Sequence, residues 1–153
     1  MKKNTPQLEP AYYSKVRNKI SFKIFDETLL KAAKILVREK KLAKNDMFNF
    51  ELTFVGDKSM QSLNKEVHKK DRSTDVISLS YIEDVAPDNF IGEVFICVPY
   101  AKRQAKKIGQ TLEIELQFLF THGLLHIFGY DHMKPDEERE MLRLTYEILG
   151  RSL

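Results

Sequence analysis

Residues 111–132 read TLEIELQFLFTHGLLHIFGYDH, and this segment decides the fold. Thr111 is suited to cap a helix, with Glu113 and Glu115 favouring its first turns. Leu112, Ile114, Leu116, Phe118, Leu119, Phe120, Leu124, Leu125, Ile127 and Phe128 leave almost no polar face. A helix apolar nearly all round is a buried one, so this is the expected central helix. Gly129 ends it and is the residue best able to turn the chain through a positive φ. His122 and His126 stand four apart and therefore share one helix face. The glycine turn lets His132 return towards that face. Three neutral imidazoles with a vacant fourth position make the catalytic type of zinc site, not the closed structural type. Nickel, cobalt or copper suits the same donors. Asp131, beside His132, either orients a ligand from outside the metal shell or caps the turn.

Outward from this helix the periodicities alternate. On its C-terminal side, Pro135 to Leu149 forms a last helix, with Asp136, Glu137 and Glu138 in the first turn and Gly150 after it. On its N-terminal side, strand-like alternation is expected at 19–25, 47–55, 76–79 and 91–98, and helices at 27–42, 58–67 and 99–108. Residues 68–74, HKKDRST, form a polar loop, and residues 1–18, with Pro6 and Pro10, read as a polar N-terminal arm. The expectation is one α+β domain over 19–153, with about five helices packed on about four strands.

The chain has 153 residues, 42% of them hydrophobic and 31% charged, enough for one domain with a real core. Its single cysteine, Cys97, excludes an intrachain disulfide framework and reads as a small core hydrophobe. No run is long and apolar enough to span a membrane, and no apolar segment follows the N-terminal lysines, so a cytoplasmic location without membrane partners is expected. Charge is uneven. Residues 1–72 carry 17 Lys/Arg against 9 Asp/Glu, and residues 73–153 carry 8 against 13. The basic part includes Lys69, Lys70 and Arg72, and a smaller cluster stands at Lys102, Arg103, Lys106 and Lys107. Such surfaces attract polyanions, though they equally make ordinary solvated helix faces.

The histidine spacing also resembles the metzincin protease pattern H-E-x-x-H-x-x-G-x-x-H, with the glycine in register. Gly123 stands where that pattern needs its general-base glutamate, which argues against peptidase chemistry. Three imidazoles leave a zinc ion its full charge. That favours an anionic substrate and brings the pKa of bound water to about 7.

Three motifs together resemble the YbeY family of bacterial endoribonucleases. HGLLHIFGYDH at 122–132 matches H-G-x-L-H-L-x-G-Y-D-H, LNKEVHKKDRSTDVISL at 63–79 matches the family's second motif, and GEVFIC at 92–97 its third. The resemblance covers about residues 19–150. It implies a mixed sheet, and a metal-dependent single-strand endoribonuclease that matures the 3′ end of small-subunit ribosomal RNA and serves ribosome quality control. It implies one zinc ion per chain on His122, His126 and His132, in a cleft beside a basic surface. The partners expected are a ribosomal RNA precursor, the small ribosomal subunit and ribosome-assembly proteins. Lys69, Lys70 and Arg72 are the expected RNA contacts. His68 replaces an arginine of the second motif and so exchanges a permanent, forked cation for a partly charged ring. It is the candidate acid–base residue, or an ordinary loop histidine. Glu93 for aspartate and Leu79 for phenylalanine are milder departures. An RNA-binding assembly factor with a mainly structural metal, and a metallohydrolase of another substrate, remain the alternatives.

Overall fold

A computed structural model describes residues 7–85 and 87–151. Four strands, β1 (Gln7–Ser14), β2 (Met47–Val55), β3 (Val76–Ser80) and β4 (Phe90–Cys97), form one sheet in the order β1-β2-β4-β3. β1 and β4 lie parallel to β2, and β3 lies antiparallel to β4, so the sheet is mixed. The helices are α1 (Asp26–Arg38), α2 (Asp57–His68), α3 (Val98–Ile108), α4 (Leu112–Ile127) and α5 (Pro135–Leu149). This is the expected α+β architecture.

Strand alternation divides the packing between the two faces of the sheet. Phe50, Leu52 and Phe54 of β2 and Val94 and Ile96 of β4 join the main core with Leu36 of α1, Leu116, Phe120 and Leu124 of α4, and Leu144 of α5. Ile77 and Cys97 face the other way and join Val55 and Met60 in a smaller cluster, with Leu63 and Val67 of α2 packed against it. Cys97 is fully buried, as its apolar setting suggested.

α4 sits unusually close to the sheet. A Cβ added at Gly123 would stand 2.7 Å from Val94 Cγ1, and one added at Gly92 would stand 2.6 Å from the Leu79 carbonyl oxygen and 2.8 Å from Ile127 Cδ1. Ser80 Oγ donates to the Ile127 carbonyl at 2.6 Å, which satisfies one of the free carbonyls at the end of α4.

Two expectations at the N-terminus are corrected. The segment read as a polar arm contributes β1, whose eight residues pair in register from Gln7↔Met47 to Ser14↔Phe54. Leu8 is buried and Tyr12 half-buried on its inner face, while Glu9, Ala11 and Tyr13 are exposed, a period of two partly hidden by Pro10. Proline is tolerated there because β1 is an edge strand. The strand expected at 19–25 is instead a short 3-10 turn over Phe22–Phe25, capped by Ser21 Oγ, which accepts from the Lys23 N–H at 3.3 Å. Its alternating apolar residues serve an aromatic cluster. Phe22 stacks on Tyr12 at 4.5 Å and on Phe54 at 5.0 Å, and Phe25 stacks on Phe120 at 4.5 Å.

Candidate metal centre

The last two turns of α4 and the turn after it bring three imidazoles together. The ring centroids of His122 and His126 are 4.7 Å apart, those of His122 and His132 5.6 Å, and those of His126 and His132 5.1 Å. One nitrogen from each ring lies within 4.8 Å of the other two. Gly129 makes this possible, with φ at +94°, by turning the chain back after the helix. The His122 and His126 Nε2 atoms are 3.2 Å apart. Two nitrogens bound to one tetrahedral zinc at about 2.0–2.1 Å stand roughly 3.3 Å apart, so this pair fits such an ion without rearrangement.

The surroundings favour in His122 and His126 the neutral form that ligation requires. Burial, then the neighbouring His126 and His132 rings, push His122 down to about 4. Burial and His132 likewise lower His126, against the opposing pull of Asp131 and of a hydrogen bond with the Tyr130 backbone. His122 Nδ1 is buried without a partner among the described residues, so the ring's polar contact is made through Nε2. His132 is exposed, which leaves the cluster open to solvent on that side. Three nitrogen donors, two of them partly buried and one open, fit a divalent ion of the zinc type.

Asp131 Oδ1 accepts the His132 backbone N–H at 2.7 Å and lies 3.8 Å from His132 Nδ1. It pins the turn that presents His132 and makes no hydrogen bond to the ring. Gly123 faces Val94 and Ser78 across the helix–sheet contact, so the protease glutamate position points into the packing of this domain.

His68 ends α2, and Lys69 follows as its left-handed cap with φ at +59°. His68, Lys69, Lys70 and Arg72 are all exposed. Buried Asn64 ties down their loop: its Nδ2 donates to the Arg72 carbonyl at 2.9 Å and its own carbonyl accepts the Lys70 N–H at 3.3 Å. None of the four lines the cavity that reaches His126 or the cavity that reaches Phe118, which stacks on His122. One of these, about 460 Å³, is bounded by His126, Gly129, Tyr81, Phe90 and the acidic Glu83 and Asp84. The other, about 660 Å³, lies between α3, α4 and α5 and carries Arg103, Lys107 and Arg151. The cations lining these cavities thus come from the smaller cluster on α3 and from Arg151, not from the 68–72 loop.

A polar chain that the sequence does not reveal runs along that larger cavity. Gln104 Nε2 donates to Asp75 at 3.2 Å and to Glu115 at 3.1 Å, and Gln110 donates to Glu115 from the other side. Glu115 is buried, and burial raises its pKa. Only the Glu-x-x-x-x-x-x-His spacing along α4 hinted that this carboxyl turns inwards. Arg103 forks onto Asp57 with two contacts of 2.9 Å and, helped by Ser73 and Cys97, holds that carboxyl well below the usual range.

The fold and site define an α+β domain with an open three-histidine centre at the end of its central helix. The sequence profile described as Endoribonuclease YbeY matches residues 13–152, and the chain belongs to that family. It is 45% identical over 101 residues to the Endoribonuclease YbeY of Ureaplasma urealyticum serovar 10, covering 66% of this chain and 65% of that one. To that of Halalkalibacterium halodurans it is 36% identical over 141 residues, covering 80% and 88%. A solution structure from Thermotoga maritima shares the fold, with a TM-score of 0.60 and 22% identity over 92% of this chain and 89% of that one. The chain thus spans just under two thirds of the Ureaplasma relative it matches. No helix among the described residues is long and apolar enough to cross a membrane.

Proposed function

We propose that this protein is a metal-dependent endoribonuclease of the cytoplasm that cuts single-stranded RNA. Its substrate is a precursor of small-subunit ribosomal RNA, matured at the 3′ end in contact with the small subunit and its assembly proteins. The observation that carries this reading is the convergence of His122, His126 and His132 on one point, with His122 held neutral by burial. The endoribonuclease activity for which the family and its relatives are named supports the reaction class.

A zinc ion on the three imidazoles would supply positive charge to a phosphodiester oxygen and acidify a water in its open position. The chain's own residues do the rest. Burial keeps His122 from taking a proton in place of a ligand and lowers His126 in the same direction. Asp131 fixes the turn that carries His132. Position 123 faces Val94 and Ser78 of the sheet, so it takes no part at the histidine cluster. The exposed cations Lys69, Lys70 and Arg72 are available to a passing phosphate backbone, and His68 is the acid–base candidate beside them.

The test is cleavage of a labelled single-stranded RNA with and without a chelator. The expected result is loss of cleavage on chelation, recovery with zinc, and loss in His126→Ala. Cleavage that survives both treatments would remove the assignment. The rival reading, an assembly factor with a structural metal, predicts that a folded His126→Ala chain still supports ribosome maturation. The exposure of His132 disfavours it, because structural sites are closed.

A further inference from the structure

We propose that the cavity between α3, α4 and α5 is a subsite for one nucleotide of the RNA strand, next to the phosphate that is cut. The inference rests on the endoribonuclease reading and adds a place where the strand is gripped. The cavity encloses about 660 Å³, within the size range of small-ligand sites.

Its walls combine what a nucleotide needs. Phe118 and Tyr146 present half-buried rings with centroids 6.3 Å apart, and Tyr100 lies under the Arg103 guanidinium at 5.3 Å. Bases stack on such faces whatever their identity. Lys107, exposed on the rim, forms no ion pair among the described residues, so its ammonium is free for a phosphate. Gln104 spends its amide N–H on Asp75 and Glu115, and its Oε1 makes no hydrogen bond among the described residues, which leaves an acceptor for a base amino group. The carboxyl of Glu115, also in the wall, is occupied by Gln104 and Gln110.

Position links the cavity to the metal centre. The Phe118 ring stacks at 6.2 Å on His122, one helical turn further along α4. One wall is therefore shared between the nucleotide cavity and a metal ligand. The cavity against His126 carries Glu83 and Asp84 and suits a phosphate backbone less well. A strand with one phosphate at the histidines would lay its neighbouring nucleotide on the α3 side.

The experiment is a nitrogen-15 NMR titration of the full chain, supplied with zinc, using adenosine 5′-monophosphate and, separately, ribose 5-phosphate at millimolar concentrations. The expected result is saturable shifts at Gln104, Lys107, Phe118 and Tyr146 with the nucleotide, and much weaker binding of the base-less sugar phosphate. Tyr146→Leu should weaken the nucleotide about tenfold by removing a stacking face. Lys107→Ala, a surface change that leaves the fold intact, should weaken both probes. A single-stranded pentanucleotide should displace the monophosphate. Equal binding of the two probes, or no saturable shift at these residues, overturns the proposal. So does retention of the monophosphate at saturating pentanucleotide, since the strand would then pass elsewhere. RNA cleavage by the wild type is scored separately. Its absence defeats the nuclease reading itself, whereas cleavage with unchanged KM in both variants defeats only the subsite.

Discussion

Gly123 is where the packing of this domain and its chemistry meet, and Gly123→Ala tests both. The added Cβ would lie 2.7 Å from Val94 Cγ1, 3.2 Å from Val94 Cγ2 and 3.1 Å from Ser78 Oγ. Carbon atoms pack best at about 3.5–4.0 Å, so one side or the other must give by roughly 1 Å. Val94 is fully buried in β4 and Ser78 belongs to the neighbouring strand, so neither is a loose surface chain. Overpacking of this kind costs about 1–3 kcal/mol. Against it stands the helix preference of alanine over glycine, about 0.8–1.0 kcal/mol. The net expectation is a loss of about 1 kcal/mol, which at a urea slope of about 1–3 kcal/mol/M lowers the midpoint by roughly 0.5 M. Urea denaturation of the metal-free chain reads it directly. Val94→Ala in the same chain should relieve part of the loss, giving a coupling of at least about 0.5 kcal/mol in a double-mutant cycle. A Gly123→Ala chain more stable than wild type by the full helix preference would refute the close contact of α4 with β4. It would also refute the reason given for the missing glutamate: a side chain at this position is aimed at the sheet.

Other consequences are as direct. The folded pKa of His122 lies near 4, below the usual 6.5. The metal-free chain should therefore keep the full contribution of this residue above pH 6.5 and lose up to about 3 kcal/mol between pH 6.5 and 4, read as a falling urea midpoint. A midpoint flat across that window would contradict the burial of the ring. His126→Ala should abolish stoichiometric zinc by elemental analysis, a larger effect than the roughly 10–100-fold cost of losing an outer partner of a ligand. Asn64→Ala should cost about 1–3 kcal/mol and speed amide exchange in residues 69–75, because the Arg72 carbonyl loses its donor. His68→Arg lies on an exposed helix end, so stability should stay within about 0.5 kcal/mol of wild type. RNA cleavage should rise, because arginine offers phosphate a permanent, forked cation.

The sequence alone determined the central helix, because α4 is apolar on every side and can be stable only when buried. It also determined the metal ligands as candidates, because i, i+4 spacing followed by a glycine turn is a local matter of helix geometry. Strands β2, β3 and β4 were legible for the same kind of reason, each carrying its own alternation or apolar run. β1 was not. Its inner residues Leu8, Pro10 and Tyr12 make a weak pattern, and its hydrogen bonds go to a strand 40 residues later in the chain. Lys19 to Phe25 failed in the opposite direction: its alternation is real, but Ser21 closes a turn and the aromatic rings find Tyr12, Phe54 and Phe120 from a 3-10 geometry.

Only the tertiary structure decided which charges line the cavity next to Phe118, the ring that stacks on the His122 ligand. The sequence pointed to the 68–72 loop for the RNA contacts, yet the cavity that shares Phe118 with the site is lined by Arg103, Lys107 and Arg151. It also decided why residue 123 is glycine, which sequence could read only as a missing base. Both answers depend on how closely α4 approaches β4 and how α3 packs beside it. Such distances are set by the summed packing of residues far apart in the chain, and no local spacing encodes them.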